Sequence, residues 1–368
     1  MATTARIDRF LRLMNDRGAS DFHLTVGRPP MLRVAGIMEQ IRYRTVIEKD
    51  WREMVEPITP PARWEEFLSC GDADFAYELE GVARFRVNIF RQQRGSGAVL
   101  RVIPSRIMSI EQLGLPPQIR RLAEIQGGLV LVTGPTGSGK STTLAAIVDL
   151  INRTRKYHVI TIEDPVEFVH EHKQSIVHQR EVGLHAVSFS EALKAAGRED
   201  PDLVLVGEMR DLETISMALT AAEKGTIVFG TLHTNNAVKT IDRIINVFPA
   251  EEQEGIRNSL AESLRAVVAQ QLMAKIEGGR VAALEILFSS VAIGNMIRTG
   301  KTSQITSAIQ TGVKKGMMDM DGSIRKLFEE GVIDARTAFD KAIDKESFQD
   351  LVRSFPRATV VSTQQKET

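Results

Sequence analysis

One cysteine, Cys70, is found in 368 residues. A single thiol excludes an internal disulfide framework and any zinc site built from several cysteines of one chain. It fits a reducing compartment. Long apolar runs are also missing: nothing approaches the ~18 consecutive apolar residues that span a bilayer. The first residues, MATTARIDRFLRLMNDRG, are amphipathic and charge-dotted and lack an apolar core of signal-peptide length. The expectation is a cytosolic chain whose membrane role, if any, runs through partners. Charge of one sign is absent too, with 47 Lys+Arg against 47 Asp+Glu. That balance weakens any function resting on a strongly basic surface, such as sequence-blind nucleic-acid binding or a polybasic membrane anchor. It leaves local patches open. What is present is a 43% hydrophobic, 26% charged chain, ordinary for a globular protein. At about 150 residues per domain its length suggests two or three domains.

Residues 4–17 carry Ile7, Phe10, Leu11 and Met14 at helical spacing, and Gly18 ends the pattern. Alternation follows at Phe22, Leu24 and Val26, then, after Gly27, Pro29 and Pro30, at Met31–Val34. It returns over 73–103, with turns at Gly81, Gly95 and Gly97. Residues 1–103 therefore predict an α+β domain with a largely antiparallel sheet. Residues 104–117, with Pro104, Gly114, Pro116 and Pro117, predict a linker holding one short helical piece. Beyond it, short buried runs at Leu129–Val132, His158–Ile162, Leu203–Val206 and Ile227–Phe229 alternate with helical patterns. That texture predicts parallel strands in an α/β domain over 118–353. Residues 254–276 predict one long amphipathic helix, the chain beyond about 290 is mostly helical, and 354–368 predict a disordered tail.

Residues 134–141 read GPTGSGKS, matching G-x-x-x-x-G-K-[ST] between a buried strand and a helix pattern. In that context Gly134, Pro135, Thr136, Gly137, Ser138 and Gly139 would turn backbone N–H groups toward phosphate oxygens. The helix N-terminus, with Ser141 and Thr142, adds its positive end. Lys140 would reach the β and γ phosphates, and Ser141 would hold Mg²⁺. The competing explanation is a chance glycine-rich turn, which the flanking strand and helix disfavour.

Hydrolysis needs a carboxylate near the terminal phosphate. Glu208 follows the buried strand Leu203–Val206 and would orient water or metal; a solvated strand-end charge is the plainer alternative. In ITIEDPVEFVH, residues 160–170, Glu163, Asp164 and Glu167 crowd one strand end, which is costly unless a cation or ligand offsets it. An exposed acidic turn is the alternative. His170 and His172 flank Glu171, but a spacing of two suits a surface cluster better than one metal-binding helix face. His233 ends the strand in GTIVFGTLHT, beside a nucleotide site or as a core histidine. Arg198 and Arg210 either pair with neighbouring acids or reach phosphates across a subunit boundary. Arg84 and Arg86 share one face of the strand ARFRVNIF; a solvent-facing edge is the default there, nucleotide or interface contact the sharper idea.

With these segments in place the chain resembles the PilT-type ATPases of type IV pilus systems, a branch of the secretion ATPase superfamily. GPTGSGKSTT, ITIEDPVEFVH, LVLVGEMRDLETI and FGTLHT stand in that family's order, joined by GGRVAALEI and GASDFHLTVGRPP. The resemblance covers residues 5–350. It implies a small PAS-like domain before a RecA-like P-loop domain, in a cytosolic homohexamer using ATP and Mg²⁺. It also implies a motor for pilus retraction and twitching motility, acting on an inner-membrane platform protein and the pilin fibre base. Such a ring sits peripherally at the inner membrane, without insertion and without nucleic acid. Lys140 and Ser141 then bind nucleotide and Mg²⁺, Glu208 is the Walker B glutamate and Glu167 the acidic-box glutamate. His233 is the second histidine of its box, Arg198 and Arg210 serve nucleotide at or across the interface, and Arg84 or Arg86 is the N-terminal contact.

Three motifs depart from the family pattern. Thr226 replaces the first histidine of the histidine box, and a threonine does not titrate near neutral pH. AIGNMIRT, residues 292–299, carries Gly294 and Thr299 where the family's retraction-linked motif has arginine and glutamate. Gly197 replaces a large apolar residue. These departures motivate an alternative, an accessory paralogue with weak ATPase that co-acts with a main retraction motor. An assembly ATPase is disfavoured because such proteins carry a four-cysteine zinc insert.

Overall fold

The structure, a computed structural model, describes residues 5–34, 36–103 and 106–349; the expected tail and the first two residues of the expected linker lie outside these. Two compact units are present. One takes the chain up to Gln112 with Ile119–Leu129 and Ser141–Thr231; the other takes Leu113–Gln118, Val130–Lys140 and the chain from Leu232.

The first unit opens on helix Asp8–Asp16, whose Leu11 and Met14 are fully buried, as is Ile7 just before it. Strands β1 (Asp21–Thr25), β2 (Met31–Val34), β3 (Ile37–Gln40), β4 (Asp72–Leu79), β5 (Ala83–Gln92) and β6 (Gly95–Ile103) form one antiparallel sheet in the order β3-β2-β1-β6-β5-β4. Inward-facing Phe22, Leu24, Phe75, Phe85 and Val87 pack with Trp51 of helix Glu48–Val55 and Phe67 of helix Pro61–Cys70. β3 had no expectation attached to it because it buries nothing and so carries no alternation. β5 lies between β6 and β4, so Arg84 and Arg86 share a face of an interior strand; the expected edge position is corrected. No helix forms over 106–116; the short helical turn expected of the linker is instead Pro117–Glu124.

β7 (Gly128–Thr133) is buried throughout. β8 (His158–Glu163), β9 (Ile176–Glu181), β10 (Leu203–Val206) and β11 (Ile227–Leu232) run parallel in the order β11-β10-β8-β9. The runs in β7, β8, β10 and β11 do not alternate, as strands covered on both faces do not. Gly128 N donates to Thr226 O at 3.2 Å, so β7 begins beside the entry to β11. Helix Phe189–Ala196 packs on β8 and β10. Ser188 caps that helix, and Asp211 caps Leu212–Glu223.

In the second unit the long helix expected over 254–276 is two elements. Helix Gln253–Ser263 stops, and β12 (Leu264–Ala274) pairs antiparallel with β13 (Arg280–Phe288) from Ala266↔Phe288 to Ala274↔Arg280. The run LRAVVAQQLMA is buried at most positions. Burial on both sides erases the period of two, and its Ala, Leu and Gln read as helix formers until the pairing with β13 overrides them. The remaining chain is mostly helical, as expected: Val291–Arg298, Ile305–Thr311, Met320–Glu329 and Ala335–Lys341. Met273 and Val281 pack there with Met320, Ile324 and Phe348.

Candidate functional site

The loop after β7 is shaped by what its glycines lack. Gly134 has φ +148° and Gly139 φ +87°, where L side chains are strained. A Cβ on Gly134 would collide with the Gln270 carbonyl and stand 2.6 Å from Ser138 Oγ. Gln270, buried on β12, donates Nε2 to the Ser138 carbonyl at 2.6 Å and so props the loop from beneath. Pro135, Thr136 and Gly137 form its exposed crest, while Ser138 is buried with no hydrogen-bond partner for Oγ among the described residues. Lys140 Nζ donates to the carbonyls of Gly134 at 2.8 Å and Pro135 at 3.2 Å. A cradle that excludes side chains, with an ammonium folded against it at a helix N-terminus, fits a polyphosphate.

In the first unit, Ser141, Thr161, Glu163, His170, Gly207 and Thr231 line a cavity of about 40 Å³. Glu163 ends β8. Its Oε1 accepts from Thr161 Oγ1 at 2.6 Å and from Gln179 Nε2 at 3.2 Å. Burial pushes the Glu163 carboxyl up, against the pull of those two donors. Glu208, partly buried past the end of β10, pairs with Arg210, whose guanidinium is shifted up by that hydrogen bond. The turn holding Glu208 is tied to β11, because Met209 N donates to Thr231 O at 3.0 Å and Thr231 Oγ1 donates to Gly207 O. Glu167, past the cis Asp164–Pro165 bond, lines a second cavity of about 300 Å³ with Arg84, Glu78 and Val82. Arg84 lies 3.8 Å from both Glu78 and Glu181.

Arg86 faces Asp74 at 3.8 Å, and Arg210 takes the neighbouring-acid partner. Arg198 is exposed and makes no ion pair among the described residues. His233 is exposed, so the core-histidine alternative is corrected; Leu232 just before it is buried. Its loop is anchored at the next helix, Ala237–Asn246, where Thr234 and Thr240 hydroxyls meet at 2.7 Å and Glu285 accepts from Ala237 N at 2.7 Å. Thr226 precedes β11 and His233 follows it, so the threonine sits at the opposite end of that strand from the histidine. His170 is half-buried rather than part of an exposed cluster. Its ring lines the Glu163 cavity, Nδ1 is buried without a hydrogen-bond partner among the described residues, and burial lowers its pKa to about 4. His172 Nδ1 accepts from Val177 N, and no three-ligand metal cluster exists among the described residues. Gln270, Glu285, Gln179 and Glu181 escaped the sequence reading. They lie on β12, read as helix, on β13 and on β9, an edge strand with no clear period.

A buried strand running into a glycine-rich loop with a basic residue, and acids at parallel strand ends, defines a P-loop nucleotide-hydrolysing protein. The Type II/IV secretion system protein family matches residues 71–314, and the chain belongs to that family, in its pilus retraction ATPase branch. The type IV pilus retraction ATPase PilT of Pseudomonas aeruginosa is 51% identical over 342 residues, covering 93% of this chain and 99% of the relative. A twitching motility protein of Neisseria gonorrhoeae is 50% identical over 319 residues, 86% of this chain and 85% of the relative. The type IV pilus ATPase PilU of Pseudomonas aeruginosa is 37% identical, covering 92% and 89%. Among solved structures, the pilus retraction motor PilT with bound ADP superposes with TM-score 0.86 at 42% identity, over 95% of this chain and all of that one.

Proposed function

We propose that this chain works as a homohexameric ring on the cytoplasmic side of the inner membrane, hydrolysing ATP to draw pilin from the fibre base through the platform protein. The observation that carries it is the 51% identity to a retraction ATPase across nearly the whole of both chains. The chain is organised as a PAS-like α+β domain over 1–103 and a RecA-like domain over 118–353.

At the nucleotide, the loop N–H groups and Lys140 would bind the phosphates, and Ser141 would hold Mg²⁺. The metal would neutralise developing charge on the phosphates. Glu208 orients the attacking water, with Arg210 holding its carboxylate until nucleotide enters, and Glu163 and Glu167 complete the acidic face. Arg84 reports from β5, Arg198 serves a neighbour's phosphates, and His233 senses the nucleotide from the end of β11.

Lys140→Ala is expected to lose nucleotide binding, whereas Glu208→Gln keeps ATP bound and loses turnover. A fluorescent-nucleotide titration beside a phosphate-release assay separates the two, and equal loss of binding in both would contradict the roles. In cells, deletion is expected to abolish twitching and leave surplus fibres; normal motility with normal fibre number would reject a sole retraction motor.

A second reading, an accessory paralogue beside a main motor, is favoured by Thr226, Gly294 and Thr299. Robust Glu208-dependent turnover by the purified ring would reject it.

A further inference from the structure

We propose that Gln179 is a positioning residue for hydrolysis, whose single side-chain amide holds the Glu163 carboxylate and fixes the far end of the acidic segment at the same time. The proposal rests on Glu163 belonging to the catalytic machinery.

Both polar atoms of the amide are engaged on one segment. Nε2 donates to Glu163 Oε1 at 3.2 Å and to the Phe168 carbonyl at 2.8 Å, and Oε1 accepts from His170 N at 2.7 Å. Three bonds thus reach residues 163, 168 and 170, both ends of the segment that carries Glu163, Asp164 and Glu167. The parallel register sets Gln179 opposite Thr161, and Thr161 donates to the same Glu163 oxygen at 2.6 Å. Two residues on, and so on the same face of β9, Glu181 accepts from Val166 N at 3.0 Å. The segment is therefore fastened to β9 at its middle by Glu181 and at both ends by Gln179. A donor that points at the carboxylate favours its charged, water-polarising form over the buried neutral one. A leucine could fill the same volume without supplying either donor, so the chemistry at this position lies in the amide.

The side chain invites one isosteric change. Gln179→Glu keeps the size and the acceptor for His170 N, but removes both donors and sets a second carboxylate beside Glu163. In full-length, assembled protein, kcat is expected to fall about tenfold or more, the scale of a lost hydrogen bond to a charged group. KM for ATP should stay close to wild type. In a Glu163→Gln background the same change is expected to add no further loss of kcat. The thermal midpoint should fall by a similar few degrees in both backgrounds, because the Phe168 carbonyl loses its donor either way. A kcat within about twofold of wild type while Glu163→Gln is impaired would overturn the positioning role. So would a kcat loss of equal size in both backgrounds, or a rise in KM that tracks kcat. Wild-type turnover in Glu163→Gln would remove the catalytic role of Glu163 itself, and this proposal with it.

Discussion

At Gly134 a single methyl group decides whether the phosphate loop can form, because its Cβ would meet the Gln270 carbonyl and Ser138 Oγ together. The carbonyl is backbone and cannot rotate away. Gly134→Ala is therefore expected to abolish nucleotide binding in a titration while the chain still folds cooperatively; near-normal affinity would show that the loop re-forms around the methyl. His170 makes a different demand. Its pKa falls from 6.5 to about 4 on folding, so between those values the unfolded chain binds a proton that the folded chain refuses. Stability is then lost as pH falls from about 6.5 to about 4, by up to ~1.4 kcal/mol per pH unit. Glu163, shifted up by burial, acts with the opposite sign nearer its own ordinary value. Denaturant midpoints at pH 7 and pH 5 are expected to diverge in the wild type and to draw together in His170→Asn. The loop after β7 and the place of Glu208 past β10 were legible because both patterns are local in sequence: a turn of glycines, and an acid at a strand end. Gln270 and Gln179 were not, since each acts on residues far off in sequence and any polar side chain on a strand looks the same from its neighbours.

Among elements, the strands were mostly readable and β12 was not. A strand buried on both faces has no period, and its Ala, Leu and Gln favour helix when taken alone. Only the nine-residue pairing with β13 distinguishes them, and pairing is a long-range fact. The helix Val291–Arg298 carries the complementary case. Gly294 in a helix interior is expected to cost roughly 1 kcal/mol relative to alanine. In the structure its Cα approaches helix Gln253–Ser263 so closely that a Cβ would stand 3.1 Å from the Ala261 carbonyl. Glycine thus sets the spacing of two helices. Gly294→Ala is expected to leave the thermal midpoint nearly unchanged, propensity gained and contact strained. A stabilisation of the full ~1 kcal/mol would mean the helices part freely.

At the scale of the whole molecule, the order of the boxes along the chain carried the family assignment, while the arginines required coordinates. Arg210 turns to its own Glu208, whereas Arg198 is left exposed without an ion pair among the described residues. Of the two, Arg198 is the one available to a neighbouring subunit. Arg198→Ala alone and Glu208→Gln alone should each be inactive. Rings mixed from both are expected to regain part of the phosphate-release rate, because some interfaces then join an intact arginine to an intact glutamate. Mixtures as inactive as either parent would confine Arg198 to its own chain.

Cys70, the single thiol, is exposed at the last turn of Pro61–Cys70, the helix that also carries Arg63, which lies 4.0 Å from Asp164. A maleimide dye on the native sequence would consequently have one address per subunit, with no competing sulfhydryl to strip out first. Fluorescence from that address would follow the helix that carries Arg63 through each turnover, so the motor's stroke could be timed on unaltered protein.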